Sequence, residues 1–381
     1  MKTLTKHSLA QKAKRVMVAI LSIIAASVLI LLGLLILWSP GKPKAFVDEH
    51  GQPLPGSIAE KIRVTVNGVQ QGMFIVGKDT TNPVMLYLHG GMPEYFFTQN
   101  YPIRLDEYFT VCWWEQRGSG LSFDAGGSSD TVTTDQLVDD ALELTKYLQH
   151  RFGKQKIYLL GHSGGSFLGI QAAARAPELY YAYIGMAQMS RQLKSEQLAY
   201  DYMLDRFKNN GDYSMVRKLE ASPVSVERGV PESYTLVRDD AMHSLGVGTT
   251  RDIRSVLTGI FLPSLQFRQY TLGEKINLWR GKFQSGISSV WSEMLAKDLP
   301  TKVPAVEIPV YFLHGIYDYT VSYTEARSYF DQIQAPLKGF YTFHSSAHSP
   351  LFEEPEKTME IMRQDVLAGT NNLADKKENI D

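Results

Sequence analysis

Two things are scarce in this chain of 381 residues: cysteine, and an excess of charge of either sign. The single cysteine, Cys112, excludes an intrachain disulfide and any cysteine-based metal site. Lys and Arg total 39 against 40 Asp and Glu. That balance removes the electrostatic case for nucleic acid, which needs a clustered basic excess. Repeats and low-complexity tracts are missing as well, so neither a solenoid nor a collagen-like rod is expected. What remains, 44% apolar and 21% charged, is the composition of a globular chain long enough to bury a full core.

Long apolar runs are absent with one exception. Residues 16–38 carry no charge over 23 positions. As a helix this run reaches about 34 Å, enough to cross a hydrocarbon layer of about 30 Å. A cleaved signal sequence is the alternative. Those have a shorter apolar region, roughly 7–15 residues, ending at small residues, whereas this run ends in Leu37-Trp38-Ser39-Pro40. An uncleaved anchor is therefore expected at 16–38, with 1–15 as a basic cytoplasmic segment. Lys2, Lys6, Lys12, Lys14 and Arg15 precede the span, whereas only Lys42 and Lys44 follow closely. Counting basic residues puts the N-terminus in the cytoplasm and the rest of the chain outside the cell membrane, in a single pass.

Residues 39–60, rich in Pro and Gly, read as a linker. Beyond them, short β-rich runs alternate with amphipathic helical runs, the pattern of a sheet covered on both faces. The runs 61–68 and 70–77 form a hairpin around Asn67-Gly68. Further strands are expected at 83–90, 108–116, 156–163, 180–188, 308–315 and 338–345, and helices at 135–153 (Thr134 as N-cap), 322–333 and 355–369. The alternation stops between 190 and 300, where helical patterning continues without a strand. The fold class expected is α/β: a mostly parallel sheet flanked by helices over 61–189 and 301–370. A helical cap is inserted at 190–300, and a flexible tail occupies 371–381.

The sharpest local signal is Gly161-His162-Ser163-Gly164-Gly165. G-x-S-x-G occurs by chance in glycine-rich turns, but here an apolar strand leads in and a helix-forming run leads out, as a nucleophile elbow requires. A serine hydroxyl needs a base, and the base needs an orienting acid. In chain order these should follow as Asp or Glu, then His. Asp318 stands just past the strand 308–315, and His348 just past 338–345, so all three groups fall at one edge of the sheet. His344, Asp331, His162 and His314 are weaker candidates, His162 for packing and His314 for closing a strand end. An oxyanion hole needs two backbone N–H groups; Gly164 and Gly91, the latter in His89-Gly90-Gly91-Met92-Pro93, are the candidates.

The set HGG (89–91), WEQRGSGLS (114–122), GHSGG (161–165), HGIYD (314–318) and SAHSPLFEEPE (346–356) resembles the α/β-hydrolase superfamily, over about residues 60–370. Within it the chain is most similar to the proline iminopeptidase-like branch of peptidase family S33. The branch's usual D-Q-R-G-x-G-x-S has Glu115 in place of aspartate here. Its H-G-G-P-G has the proline one position later, at Pro93, and Gly164 stands where iminopeptidases usually carry tryptophan. The resemblance implies that Arg117 braces the oxyanion loop, and that cap carboxylates hold a substrate's free amine. Glu196, Glu220, Glu227, Glu232, Asp239, Asp240 and Glu293 are the ones available. The activity expected is an aminopeptidase acting through an acyl-enzyme on a short peptide or small molecule, with no metal and no organic cofactor. The alternatives are an esterase or lipase, favoured by an aromatic cap (Phe261, Phe267, Tyr270, Trp279, Phe283, Trp291), and a non-catalytic binding protein of the same fold.

Overall fold

The computed structural model describes residues 2–124, 132–284 and 289–376. Helix α1 (Lys2–Leu37) contains the stretch Gln11–Leu37, long and apolar enough to cross a membrane and, among the described residues, not buried by the rest of the chain. Eight strands follow: β1 (Ile58–Val66), β2 (Val69–Gly77), β3 (Val84–Leu88), β4 (Thr110–Glu115), β5 (Ile157–His162), β6 (Tyr180–Met186), β7 (Val310–Gly315) and β8 (Lys338–Phe343). They form one sheet in the order β1-β2-β4-β3-β5-β6-β7-β8. The β1–β2 hairpin and the β2–β4 pair are antiparallel, and every pair from β4 through β3 to β8 is parallel. All eight expected strands are present, most of them trimmed by one or two residues at an end, whereas β1 starts three residues early, at Ile58.

The parallel strands are buried on both faces, which is why their sequences run apolar at consecutive positions. On one face pack α2 (Thr134–Phe152) and α3 (Gly164–Arg175), with Leu137, Val138, Ala141, Leu144, Leu148 and Leu168 inside. On the other face Phe74, Tyr87, Trp113, Leu160 and Tyr311 meet the cap and the C-terminal segments. The N-cap of α2 is Thr133, whose side chain accepts from Gln136 N at 3.2 Å. The expected cap, Thr134, instead gives its hydroxyl to Glu293 at 2.6 Å.

Between β6 and β7 the described residues form no named strand. They hold α4 (Gln192–Asn209), α5 (Tyr213–Glu220), α6 (Glu232–Leu245) and α7 (Leu272–Gln284), with a π-turn at Leu257–Phe261 running into a short helix at Leu262–Gln266. After them come α8 (Tyr323–Gln332) and α9 (Pro355–Ile361). The helix expected to reach 369 gives way to a π-turn over Met362–Val366. The cause is Asp365. Its carboxylate, buried, collects the hydroxyls of Thr370 and Tyr341 and the N–H groups of Asn372 and Leu373, each at 2.8 Å. Residues 371–375, expected at the start of a flexible tail, are thereby held against β8, where Asp375 N also donates to Phe340 O at 2.8 Å. Residues 377–381 of that tail lie outside the described residues.

In this strand order β3 connects to one side and β5 opens the other, so their C-terminal ends flank a crevice where connections diverge. Open α/β sheets bind ligands in such crevices.

Candidate active site

The chain leaves β5 through a turn in which Ser163 adopts φ 56°, ψ −123°. That region is costly for a residue with a Cβ and survives only where its surroundings over-determine it. Two glycines permit it. A Cβ on Gly161 would stand 2.5 Å from Gly165 O, and one on Gly165 would collide with the carbonyls of Leu88 and His89. Helix α3 begins at Gly164, which places a positive helix end beside Ser163.

Asp318 and His348, on the loops after β7 and β8, meet directly: His348 Nδ1 lies 2.9 Å from Asp318 Oδ2. The other carboxylate oxygen accepts the N–H groups of Thr320 and Val321, both at 2.9 Å. Burial alone would raise the Asp318 carboxyl, yet the facing His348 and His314 rings hold it well below the usual carboxylate range. With Nδ1 committed to Asp318, Nε2 is the nitrogen left to act, and His348 lines a cavity of about 360 Å³ together with Ser163, Gly164 and Gly91. Among the described residues no direct hydrogen bond joins Ser163 to His348. Such bonds often tighten only once substrate is bound. Gly90 abuts the same serine, since a Cβ there would lie 2.7 Å from Ser163 Cβ.

His162 has a larger part than packing. Its Nδ1 lies 2.7 Å from Glu94 Oε2 and its Nε2 lies 2.8 Å from His348 O. Glu94 Oε2 also accepts the Tyr87 hydroxyl at 2.6 Å. Both ring nitrogens of His162 therefore face acceptors, so both must carry protons: the ring is an imidazolium paired with a carboxylate. The titration directions agree. Burial pulls His162 down and raises Glu94, but their mutual attraction wins, raising His162 and lowering Glu94. This cation lies with its ring centroid 4.8 Å from that of His348. Burial and the cation lower the His348 pKa, while Asp318 and Glu94 oppose them. Replacing His162 by Gln is expected to raise that pKa and move the acidic limb of the kcat/KM–pH profile upward. An unmoved limb would contradict the charge assigned to His162.

The loop carrying His348 is fixed from below by Glu353, whose carboxylate accepts the N–H groups of Arg251, Ala347 and Ser349 at 2.6, 2.9 and 3.2 Å. The Gly91 loop is fixed by Gln116, whose Nε2 donates to His89 O at 2.8 Å and whose N–H donates to His89 Nε2 at 3.1 Å. The bracing expected of Arg117 is therefore supplied by its neighbour. Arg117 instead forms a two-point pair with Asp140, at 2.7 and 2.9 Å.

Glu115, fully buried, accepts from the Tyr270 hydroxyl and from Leu121 N. Burial pushes its carboxyl from 4.5 up to about 8 against those two donors. A raised folded pKa means the folded state holds the proton more tightly than the unfolded chain. Stability should then fall as pH rises from 4.5 to 8, by up to about 1.4 kcal/mol per unit. Glu115→Gln should make that slope shallower, read as thermal midpoints that drop less between pH 5 and pH 9.

Of the cap carboxylates, only Asp239 lines the cavity. Glu196 is buried in a two-point pair with Arg238, and Glu220 and Glu293 are engaged by Lys208 and Lys297. Asp239, exposed, pairs with Arg238 at 2.9 Å. Lys282, which the sequence did not single out, lines the cavity with its Nζ 3.1 Å from where a Gly91 Cβ would stand. Trp279 and Trp291 line the cavity, whereas Phe267 and Tyr270 belong to the core.

Residues 81–230 match the family described as serine aminopeptidase, S33. A probable aminopeptidase, YbaC, of Bacillus subtilis (strain 168) is 29% identical over 307 residues, covering 80% of this chain and 95% of its own. The crystal structure of a proline iminopeptidase from Mycobacterium smegmatis superposes with a TM-score of 0.57 at 16% identity, over 81% of this chain and 98% of that one. A thermophilic esterase from Thermogutta terrifontis does so with a TM-score of 0.52 at 15% identity, over 81% and 98%. The chain has the α/β-hydrolase fold. It is a hydrolase, and at these identities the superpositions speak for its fold, which peptidases and esterases share.

Proposed function

We propose that this hydrolase is an aminopeptidase of the proline iminopeptidase type, working through an acyl-enzyme on Ser163 with His348 as base and Asp318 as its orienting acid. The observation that carries this reading is the 2.9 Å contact between Asp318 and His348, with His348 and Ser163 on the wall of one cavity. Ser163 Oγ attacks the scissile carbonyl as His348 Nε2 takes its proton. The N–H groups of Gly91 and Gly164 receive the oxyanion, and the imidazolium returns the proton to the leaving amine. Water activated by the same imidazole then releases the acyl group. Triad and N–H donors supply every step, so the scheme calls on no metal or organic cofactor.

Similarity to S33 serine aminopeptidases and to YbaC supports a peptide substrate with a free amine, for which Asp239 is the carboxylate at hand. Lys282 favours a second reading, an esterase, because an ammonium beside Gly91 repels a substrate amine. Turnover of a prolyl anilide against a short-chain aryl ester separates the two. Anilide hydrolysis is the expected result, and ester-only activity would remove the peptidase.

We infer further that α1 is an uncleaved single-pass anchor with its N-terminus in the cytoplasm, on the strength of the basic residues before the span. Protease added outside intact cells should digest the catalytic part and spare a tag on the N-terminus. Digestion of that tag would reverse the orientation.

A further inference from the structure

The cap is tied to the end of α1. Helix α7 opens with a reciprocal pair: Thr271 N donates to Glu274 Oε2 at 2.8 Å, and Glu274 N to Thr271 Oγ1 at 3.2 Å. Lys61 grips the same carboxylate at 2.7 Å. One residue on, the buried Lys275 ammonium donates to Trp38 O at 2.7 Å, Ser39 Oγ at 3.0 Å and Leu265 O at 2.6 Å. Gly41 N donates to Arg268 O, and Lys44 N to Gln269 Oε1, both at 3.2 Å. Segment 265–275 is thus bonded to the chain as it leaves α1. The 13 residues of α7 span about 20 Å, so all of that helix lies close to this exit.

The outward face of this region is both apolar and basic. Beyond α1, ten large apolar side chains are exposed among the described residues. Four of them, Leu257, Leu262, Ile276 and Phe283, fall on this one stretch, with Phe283 76% exposed. Ring contacts join its two arms: Phe261 to Trp279 at 5.1 Å, and Trp279 to Phe283 at 5.9 Å. Of the charged residues in 251–284, Arg254, Arg268 and Arg280 are exposed, against a single exposed carboxylate, Asp252. Apolar side chains framed by cations are what the surface of an anionic bilayer binds. The same stretch supplies Val256, Ile260, Trp279 and Lys282 to the cavity wall.

We propose that the helical hairpin Leu257–Gln284 rests on the anionic phospholipid bilayer that α1 enters, with the cavity bordering that surface. This rests on the reading of α1 as an anchor. It deepens the functional reading by opening the site to amphiphilic acyl substrates held in the membrane.

The sole native cysteine, Cys112, is fully buried, and burial pushes its thiol pKa up, so introduced cysteines can be labelled selectively. Phe283→Cys, Ile276→Cys, Leu29→Cys and Tyr213→Cys, each in the full chain, would carry an environment-sensitive dye in vesicles of phosphatidylglycerol and phosphatidylcholine. A lipid-borne nitroxide should remove most of the emission at 283, 276 and 29 and spare 213, whereas aqueous iodide should do the reverse. Loss at 29 but not at 283 and 276 would overturn the docking and leave the anchor standing. No loss at 29 would overturn both. Positions 283 and 276 shielded from both quenchers would mean that protein, such as a second copy of this chain, covers the face, which also overturns it. Unchanged quenching at 283 in pure phosphatidylcholine would overturn the requirement for anionic lipid.

Discussion

Ser163→Ala is expected to lower kcat by about 10⁴–10⁶ with little change in KM or thermal stability. The expectation follows from position. The hydroxyl faces the cavity and bonds to nothing among the described residues, so its loss leaves no buried partner stranded. Alanine keeps the Cβ that the turn already accommodates at φ 56°. The backbone bond from residue 163 N to Met186 O at 3.0 Å is untouched. What disappears is the atom that would bond to the acyl group, and with it labelling by a fluorophosphonate probe. Residual rate would come from substrate binding and the oxyanion donors. Undiminished labelling of the variant would assign the chemistry to a different serine.

Asp318→Asn should lower kcat by about 10⁴, and the geometry explains why an almost isosteric change does so much. Asp318 Oδ1 accepts two backbone N–H groups, from Thr320 and Val321. Only an amide oxygen can replace it there; an NH₂ group would face two donors. The amide NH₂ is therefore forced toward His348 Nδ1, which must give up its proton to accept that bond. The proton then resides on Nε2, and the nitrogen facing Ser163 can no longer take one. The turn after β7 should keep its shape, so the thermal midpoint should move far less than the rate. A variant that retained near-normal kcat would remove Asp318 from the orienting role.

Much of the scaffold was legible in the sequence because it is written locally. Strands such as β5 and β7 are unbroken apolar runs closed by glycine or a polar turn, and the glycines at 161 and 165 declare the turn that they permit. That Asp318 and His348 meet was legible because each stands just beyond a strand on the same edge. The residues that were not found act across long separations. Glu94 and His162 are 68 positions apart and form their ion pair only because the loop after β3 lies over the turn after β5. Arg117 was expected to brace the oxyanion loop, but Gln116 does so, because the Arg117 guanidinium is held in its pair with Asp140, 23 positions on. Asp365 ends its helix early through partners on β8 and in the tail, and no helical periodicity could foretell those. Nothing local in the sequence singles out Lys282. Its place beside Gly91 depends on how the cap sits over the sheet.

The bonds from Lys275 to Trp38 and Ser39 have a mechanical consequence. A catalytic head on a loose tether samples a hemisphere whose radius grows with the length of the leash, and meets substrates throughout that volume. Here the leash is stitched down within a few residues of its origin. With α1 in a bilayer, the catalytic centre would patrol only a thin layer at constant altitude and in one orientation. Lateral diffusion of the anchor, not flexing of the stalk, would then govern how often it encounters its target.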